Sequence, residues 1–232
     1  MKKLLLTTAI LAIANSASAE VGGFYVRGDL GASALPTRKI STQDYFFDYD
    51  VKLSGKLKSS TQFTGSIGVG TYVTDMFRTE LVLSGHTNAT QKANLKTTID
   101  GVDVSKNMPI SQTRKVRILD LSIKGIADVY DFGAGKVFLG AGVGVSRVSG
   151  SVKTKVSSPF ISAEEKFKYK TKNNFSYLLT AGSSFNVSEG VNVDVAYTYK
   201  NHGKLSKIKG HDGKLNYSIS THSLTAGVRV DL

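Results

Sequence analysis

Alternating apolar and polar residues fill the stretch Thr61–His86, which reads TQFTGSIGVGTYVTDMFRTELVLSGH. One face of its first half is apolar and carries Phe63, Ile67, Val69 and Val73. In its second half Leu81 and Leu83 share one face, and Arg78 and Glu80 share the opposite one. A period of two residues indicates β-strands. Because charged residues occupy the middle of the polar face, that face must meet either water or a polar lumen.

The same alternation recurs along the chain and predicts eight strands. They are Phe24–Ala32, two strands within Thr61–His86, Arg114–Ala127, Lys136–Val148, Asn174–Phe185, Val191–Lys200 and Tyr217–Leu232. Short turns are predicted at Thr74–Phe77, Asp128–Ala134 and Asn186–Gly190, and long polar loops at Leu35–Ser60, Thr87–Thr113, Ser149–Asn173 and Asn201–Asn216. The connections therefore alternate between long and short.

This alternation of connection lengths is typical of outer-membrane barrels, which have short periplasmic turns and long extracellular loops. An even number of strands places both chain ends on one side and lets the first strand pair with the last, which leaves no open edge. The predicted fold is all-β, an eight-stranded antiparallel transmembrane β-barrel with short periplasmic turns and four long extracellular loops.

The first residues of the chain have the features of an export signal. Lys2 and Lys3 precede the apolar run Leu4–Ala14, and Ala17-Ser18-Ala19 forms a cleavage site of small residues. An apolar run of about ten residues is too short to span a bilayer as a helix. We expect a signal peptide at 1–19 and an outer-membrane β-barrel domain at 20–232. The chain has no cysteine, so an exported domain of this kind must rely on strand pairing or on a large core.

The polar faces of the predicted strands distinguish a membrane barrel from a soluble one. A soluble barrel of the lipocalin kind would have the same period, with apolar residues inside and polar residues outside. Here the polar faces mix small residues with charges of both signs, as a narrow lumen requires. We predict a structural network of lumenal charges made by Arg27, Asp29, Arg78, Glu80, Asp120, Lys124, Asp194 and Arg229. Aromatic residues near strand ends are predicted to form interfacial girdles: Phe24, Tyr72, Phe132, Phe185, Tyr197 and Tyr199.

No residue pattern in the chain indicates catalysis, a cofactor or a metal. His222 and Ser223 are an adjacent base and nucleophile, but neighbours on a strand point to opposite faces. The other histidines, His86, His202 and His211, are predicted near loops and lack metal-ligand spacing. The segment Asp100–Asp103 is predicted to be a turn and not a cation loop. An eight-stranded barrel is just filled by its side chains, so a general porin is not expected.

Excess positive charge is concentrated in two of the predicted loops. The formal net charge is +12, and loss of Lys2 and Lys3 with the signal would leave about +10. The candidate partner-binding residues are Lys153, Lys155, Lys166, Lys168, Lys170, Lys172, Lys204, Lys207, Lys209 and Lys214. Acidic proteins, acidic glycans and lipopolysaccharide phosphates are the expected partners of an exported basic surface, and nucleic acid is not. The aromatic residues Tyr45, Phe46, Phe47 and Tyr49 in the first loop could anchor a partner or pack on the barrel rim.

Several strand segments resemble a known family. They are FTGSIGVGTYVTDMFRTEL, KVFLGAGVGVSRV, NNFSYLLTAGSSFNVSEGVNVDVAYTYKNHGK and the terminal SLTAGVRVDL. These segments resemble the opacity-protein-like (OmpA-type) family of eight-stranded outer-membrane barrels, and within it the rickettsial outer-membrane adhesins. The family often ends in Phe, whereas this chain ends in Leu232. The resemblance implies a cell-surface protein that binds host-surface or serum proteins, vitronectin among them.

Three functions follow as hypotheses. The first is a non-enzymatic surface adhesin, expected to be a monomer, that binds host proteins through basic extracellular loops. The second is a structural, envelope-stabilising barrel whose loops contact only lipopolysaccharide. The third is a lipid-modifying barrel enzyme, which would need a role for His222.

Overall fold

A computed structural model of the protein describes residues 21–46, 49–106, 109–157, 162–204 and 218–232. Side chains are described within these ranges except at 40–46, 49–51 and 162. The predicted signal peptide lies outside the described residues. Within them, no helix has both the length and the apolar character needed to cross a membrane.

Twelve β-strands follow one another in the described part of the chain. They are β1 (Phe24–Leu35), β2 (Arg38–Phe46), β3 (Tyr49–Leu57), β4 (Ser60–Tyr72), β5 (Phe77–Ile99), β6 (Val102–Asp103), β7 (Ile110–Asp131), β8 (Gly135–Ser157), β9 (Ser162–Lys168), β10 (Lys172–Ser188), β11 (Val191–Lys204) and β12 (Ser218–Asp231). Among these, β1, β4, β5, β7, β8, β10, β11 and β12 pair side by side in that order, always antiparallel. β12 returns to β1, from Tyr25 opposite Asp231 to Ala34 opposite His222, and closes the ring. The predicted antiparallel barrel is confirmed.

The three tight turns, the beginning of β1 and the end of β12 lie at the same end of the barrel, which we call the turn end. The side-chain oxygen of Thr74 accepts the N–H of Phe77 at 3.0 Å and so fixes the turn between β4 and β5. Gly133 and Gly190 hold the other two turns, with φ angles of 84° and 69°. A β-carbon would be strained in that left-handed conformation. The opposite end of the barrel is called the extended end.

The ring strands turn their apolar residues outward, as the period of two predicts. Ile67 is 65% exposed, whereas Glu80 on the inner face is 1% exposed. Each ring strand contributes to this outward apolar band, for example with Leu30, Ile67, Leu83, Leu121, Val143, Leu179, Val195 and Val228. Apolar surface of this kind is unfavourable in water and favourable in lipid. The polarity of the two faces is therefore that of a membrane barrel and the reverse of a lipocalin.

The prediction of interfacial aromatic girdles is wrong for one residue, Tyr72. Tyr72 is only 8% exposed, and its hydroxyl donates to the carboxylate of Asp231 at 2.8 Å inside the barrel. Even-numbered residues of β4 face inward, so the pleat of the strand places Tyr72 inside despite its position at a strand end. The remaining girdle candidates are exposed or half-buried: Phe24, Phe132, Phe185, Tyr197 and Tyr199.

The segments predicted as long loops are largely β-structure, which corrects the prediction. β5 continues to Ile99, β7 begins at Ile110 and β8 continues to Ser157, so these strands reach well beyond the apolar band. β2 pairs with β3, β3 with β5, and β9 with β8. Pairing satisfies backbone N–H and C=O groups that a loop would leave to water. We call this part of the sheet the extension; in the fourth predicted loop β11 continues to Lys204, and residues 205–216 lie outside the described ranges.

A bulge in β5 interrupts the alternation of apolar and polar residues, so the sequence pattern does not predict that the strand continues into the extension. His86 lies opposite Ile118 and Ala89 opposite Val116, so β5 has one residue more than β7 at this point. The Thr87 hydroxyl replaces a backbone partner, since it accepts the Phe63 N–H at 3.0 Å. Before the bulge even-numbered residues of β5 face inward, and after it odd-numbered residues do: Ala89, Gln91, Ala93, Leu95 and Thr97 are buried. One extra residue therefore exchanges the two faces of the strand.

An apolar cluster fills the barrel interior at the extended end. Its buried members are Leu35, Ala89, Val116, Ile118, Val148, Val152, Tyr169 and Ile219. They come from β1, β5, β7, β8 and β12 and from the residue that follows β9. The cluster therefore lies inside the ring, between the polar lumen and the extended end.

Below the apolar cluster, Glu80 is the centre of a charged lumen. Its carboxylate accepts from Arg27 at 2.8 Å, from Lys124 at 2.6 Å and from the Tyr25 hydroxyl at 2.9 Å. The residues predicted for the lumenal network all lie on the inner face, seven of them buried and Lys124 half-buried: Arg27, Asp29, Arg78, Glu80, Asp120, Lys124, Asp194 and Arg229. Arg78 pairs with Asp128, which the sequence prediction did not include.

Two further carboxylates bring the remaining charges together. Asp194 lies between two arginines, 3.6 Å from Arg27 and 3.8 Å from Arg229. Asp120 pairs with Lys200, a residue missing from the predicted network, although its even number on β11 places it on the inner face with Asp194. Each buried charge in this set thus has an opposite charge within ion-pair distance, which is the condition for keeping ions out of water.

The carboxylate of Glu80 provides a test of this network. Glu80→Gln keeps the size of the side chain but leaves Arg27 and Lys124 buried without their shared negative charge. We expect the free energy of unfolding to fall by about 3 kcal/mol, the range for breaking one partner of a buried ion pair. Urea titration of the protein refolded in lipid vesicles, followed by heat-modifiable electrophoretic mobility, measures the change.

Glu164→Gln is the matched control for this variant. Glu164 pairs with Lys153 at 2.7 Å, but the two side chains are 50% and 46% exposed. An exposed pair contributes at most about 1 kcal/mol, so the control should unfold almost as the parent does. Equal destabilisation by the two substitutions would contradict the proposed contribution of the lumenal network to the free energy of unfolding.

Gly70 provides a second test, since it lies directly against the ring of Tyr25. A β-carbon at Gly70 would be 2.3 Å from the ring, and Tyr25 is held by its hydrogen bond to Glu80. We expect Gly70→Ala to lower the free energy of unfolding by about 1–3 kcal/mol through overpacking. Gly125→Ala is the control, because nothing lies within 4 Å of its β-carbon position. The same urea titration compares them, and indistinguishable midpoints would show that the Tyr25 ring has room to move.

Candidate functional site

The centre of the lumen is too small to hold a substrate or a partner. Its central cavity has a volume of about 70 Å³ and is lined by residues that include Lys124 and Lys200. A space of this size holds a few water molecules. The apolar cluster occupies the barrel interior at the extended end. The lumenal charges therefore meet each other and internal water.

His86 and His202 lie inside the barrel, which corrects their predicted placement near loops. Their ring centroids are 5.6 Å apart. Nδ1 of His202 is 2.8 Å from Oγ of Ser146, and its Nε2 is 2.9 Å from Oγ1 of Thr221. Among the residues with described positions, no group of three or more potential metal ligands is found. His202 is thus a buried, hydrogen-bonded side chain, and His86 packs against its ring. His211 lies outside the described ranges.

His222 and Ser223 are directed to opposite sides of β12, as the strand alternation predicts. Nδ1 of His222 is 2.6 Å from the hydroxyl of Tyr197 on the outer side. Ser223 is buried and donates to Oγ of Ser33 at 3.0 Å. The pair is therefore not arranged as a base and its nucleophile. Asp100 and Gly101, with φ angles of 46° and 83°, form the predicted turn between β5 and β6.

The outward face of the extension is strongly basic. Residues directly opposite each other in an antiparallel ladder share a face. Lys153 of β8 lies opposite Lys166 of β9 on one side and Thr113 of β7 on the other, and Thr113 lies opposite Lys92 of β5. We define the basic face as the exposed cationic side chains at such outward positions: Lys39, Lys52, Lys56, Lys92, Lys96, Lys115, Arg117, Arg147, Lys153, Lys155, Lys166 and Lys168.

Few acidic side chains compensate this charge where side chains are described. Glu164 pairs with Lys153 at 2.7 Å. Asp103 of β6 is exposed, and the hydroxyl and N–H of Ser105 donate to it at 2.5 Å and 2.9 Å. These hydrogen bonds lower the pKa of the Asp103 carboxyl from its usual value. Neighbouring like charges on one face repel each other, so the face has a net attraction for an anionic surface.

The structure brings together only some of the lysines predicted to bind a partner. Lys153, Lys155, Lys166 and Lys168 share the outward face of the β8–β9 hairpin. Lys170, Lys172 and Lys204 are exposed, but Lys172 lies opposite Val148, a buried position, so it does not share that face. Lys207, Lys209, Lys214 and Phe47 lie outside the described residues, and the side chains of Tyr45, Phe46 and Tyr49 are not described.

Sequence reasoning missed the lysines that β5 and β7 add to the basic face. Lys92 and Lys96 fell in the segment Thr87–Thr113, which was predicted as a long polar loop, whereas Lys115 lies near the start of the predicted strand Arg114–Ala127. Their signal was the alternation of the segment QKANLK, in which Lys92 and Lys96 alternate with Ala93 and Leu95. The bulge at Thr87 interrupts the pattern before this point, which is why the segment did not read as a continuation of the strand.

The chain is similar to known outer-membrane barrel proteins over its whole length. The family described as "Outer membrane protein beta-barrel domain" matches residues 4–230. A protein of Rickettsia bellii (strain RML369-C) named "Putative adhesin" is 32% identical over 244 residues, which cover 100% of both chains. A protein of Rickettsia felis (strain ATCC VR-1525 / URRWXCal2) with the same name is 32% identical over 250 residues, again covering 100% of both chains.

A solved structure supports the same fold. The crystal structure of Neisserial surface protein A aligns with a TM-score of 0.50 at 18% sequence identity, covering 93% of this chain and 99% of that one. The ring of antiparallel strands, the outward apolar band and the family match over residues 4–230 agree. The chain is a member of the outer membrane protein β-barrel domain family and is located in the outer membrane, with rickettsial proteins named as adhesins among its relatives.

Proposed function

We propose that this outer-membrane barrel is a surface adhesin without catalytic activity, and that its basic face binds an acidic host-surface or serum protein. The observation that carries the proposal is the outward ladder of Lys92, Lys153 and Lys166 across three strands of the extension. The turn end, with its short connections, corresponds to the periplasmic side of such barrels. The extension then projects from the outer surface, where a host molecule can reach it.

The geometry of the ladder favours recognition of an extended acidic surface. Neighbouring strands are about 4.8 Å apart. Lys153 and Lys166 are on neighbouring strands, and Lys92 continues the row on the far side of Thr113, so the row is an extended array of positive charges. Such an array steers an oppositely charged protein toward the surface and raises its association rate more than its affinity. Vitronectin, which the family resemblance implies, is the first protein to test, followed by other acidic serum proteins.

The other two hypotheses, a lipid-modifying enzyme and a purely structural barrel, have less support from the geometry of the strands. The enzyme hypothesis relied on His222 and the adjacent Ser223, but Ser223 is buried on the inner face while His222 is directed to the outer side. A purely structural barrel would depend on the lumenal network and would not require the extension to bind a partner. It predicts that loss of charge from the basic face leaves attachment unchanged, so the experiment below separates it from the adhesin.

Removal of three charges from the basic face tests the proposal, two of them from the ladder and one, Lys168, beside it on β9. We expect the variant Lys153→Gln/Lys166→Gln/Lys168→Gln, displayed in nanodiscs, to associate with immobilised vitronectin on the order of ten-fold more slowly than the parent. The parent's association rate should fall as salt is raised, and the variant's should fall less, because fewer exposed charges remain to be screened. Biolayer interferometry at several salt concentrations measures both.

The matched control removes three exposed lysines that lie outside the ladder. Lys170→Gln/Lys172→Gln/Lys204→Gln has the same change in net charge and should retain most of the parent's association rate. Equal loss in both variants would mean that total charge matters and that the ladder does not. Binding to a sulfated glycan alone, with no serum protein bound, would assign the face to glycans, and unchanged attachment of cells carrying either variant would favour the structural barrel.

A further inference from the structure

Two arginines of the basic face lie at the upper edge of the apolar band, where the barrel leaves the membrane. Arg147 of β8 is directly opposite Leu119 of β7, and Arg117 of β7 is opposite Ser149 of β8. The two arginines are therefore diagonal neighbours on one face, with α-carbons roughly 7 Å apart. Both side chains are exposed.

The row of residues immediately below them is apolar on three adjacent strands. Leu121, Val145 and Phe175 lie opposite one another across β7, β8 and β10. They are 50%, 54% and 67% exposed on the outer side. A change from a fully apolar row to a row with arginine within one step of the pleat marks the boundary between acyl chains and lipid headgroups.

The two arginines line the same groove. It has a volume of about 760 Å³ and is lined by Arg117 and Arg147 together with hydroxyl and amide groups, namely Thr87, Asn88, Ser149 and Thr171. Leu119 also lines it and continues into the apolar band. The bulge in β5 forms one wall, because Thr87 and Asn88 are the residues at the shift in register.

Neither arginine has an acidic partner within ion-pair distance in the described part of the chain. Two like charges on neighbouring positions destabilise a sheet. An anion between them removes this repulsion, and the planar guanidinium groups can donate two parallel hydrogen bonds each to phosphate oxygens.

We propose that the Arg117–Arg147 groove binds the phosphate group of a phosphorylated lipid in the outer leaflet. The arginines clamp the phosphate, the groove hydroxyls donate to its remaining oxygens, and the acyl chains lie along Leu119 and the apolar row below. A lipid is the favoured source of the phosphate because the groove continues, through Leu119, into the lipid-facing apolar band. A site for a soluble anion would not require an apolar surface beside the arginines. This site is distinct from the ladder around Lys153 that we assign to host binding.

Native mass spectrometry of the full chain in detergent micelles tests the proposal with three probes. They are bisphosphorylated lipid A, lipid A with both phosphates removed, and inorganic phosphate alone. We expect the parent to retain bisphosphorylated lipid A, to retain the dephosphorylated form at least about ten-fold less, and not to retain inorganic phosphate. The variant Arg117→Gln/Arg147→Gln should bind the phosphorylated lipid about ten-fold less than the parent.

Lys153→Gln/Lys166→Gln is the charge-matched control, since both residues lie on the basic face but outside the groove. It should bind the phosphorylated lipid as the parent does. Equal binding of the two lipid forms, unchanged binding by the arginine variant, or equal loss in the lysine control would each overturn the proposal. Tight binding of inorganic phosphate alone would assign the groove to a soluble anion instead. Heat-modifiable mobility confirms that each variant is folded before it is measured.

Discussion

Closure of the strand ring by the pairing of β1 with β12 is the constraint on which the other features depend. Within a bilayer no water is present to bond a free backbone N–H or C=O, so every ring strand needs a neighbour on both sides. The register from Tyr25 opposite Asp231 to Ala34 opposite His222 provides this for the first and last strands. Once the ring is closed, the pleat decides which side chains meet lipid and which enter the lumen. The charged interior and the apolar exterior are both consequences of that single register.

A closed ring of this size brings its inward side chains close together, and this explains the composition of the polar faces. Glycines make room for inward side chains of neighbouring strands, as Gly70 does for the ring of Tyr25 and Gly227 for the carboxylate of Asp29. Charges occur with opposite charges beside them, as Glu80 does between Arg27 and Lys124. Removing one member leaves its partners buried without compensation, so these residues belong to the stability of the barrel.

The membrane part of the fold was predictable from the sequence because a period of two survives there without interruption. That period placed Arg78 and Glu80 inside and Ile67 outside, as the structure has them. The prediction for Tyr72 was wrong because it relied on the position of this residue at a strand end and not on its even number, which places it on the inner face of β4. The period of two failed more widely beyond His86, because the bulge at Thr87 exchanges the two faces and the polar composition of the following residues resembles that of a loop. The partners of individual charges, such as Lys200 with Asp120, depend on register across strands and could not be derived from one strand at a time.

In the extension, the exchange of the two strand faces produces an outer surface that differs in charge from the outer surface within the membrane. In the membrane, the outward positions of β5, β7 and β8 are mainly apolar, because polar side chains facing lipid are unfavourable. Beyond the bulge, the same outward positions carry lysine and arginine, while apolar residues such as Val116 and Val152 move to the inside. The outer surface of one continuous set of strands thus changes from lipid-facing to anion-attracting within a few residues. Arg117 and Arg147 lie at the change, next to the headgroups, and Lys153 and Lys166 lie beyond it, within reach of molecules in the medium. Distance from the apolar band, more than charge alone, therefore decides which anion each part of the basic face can meet.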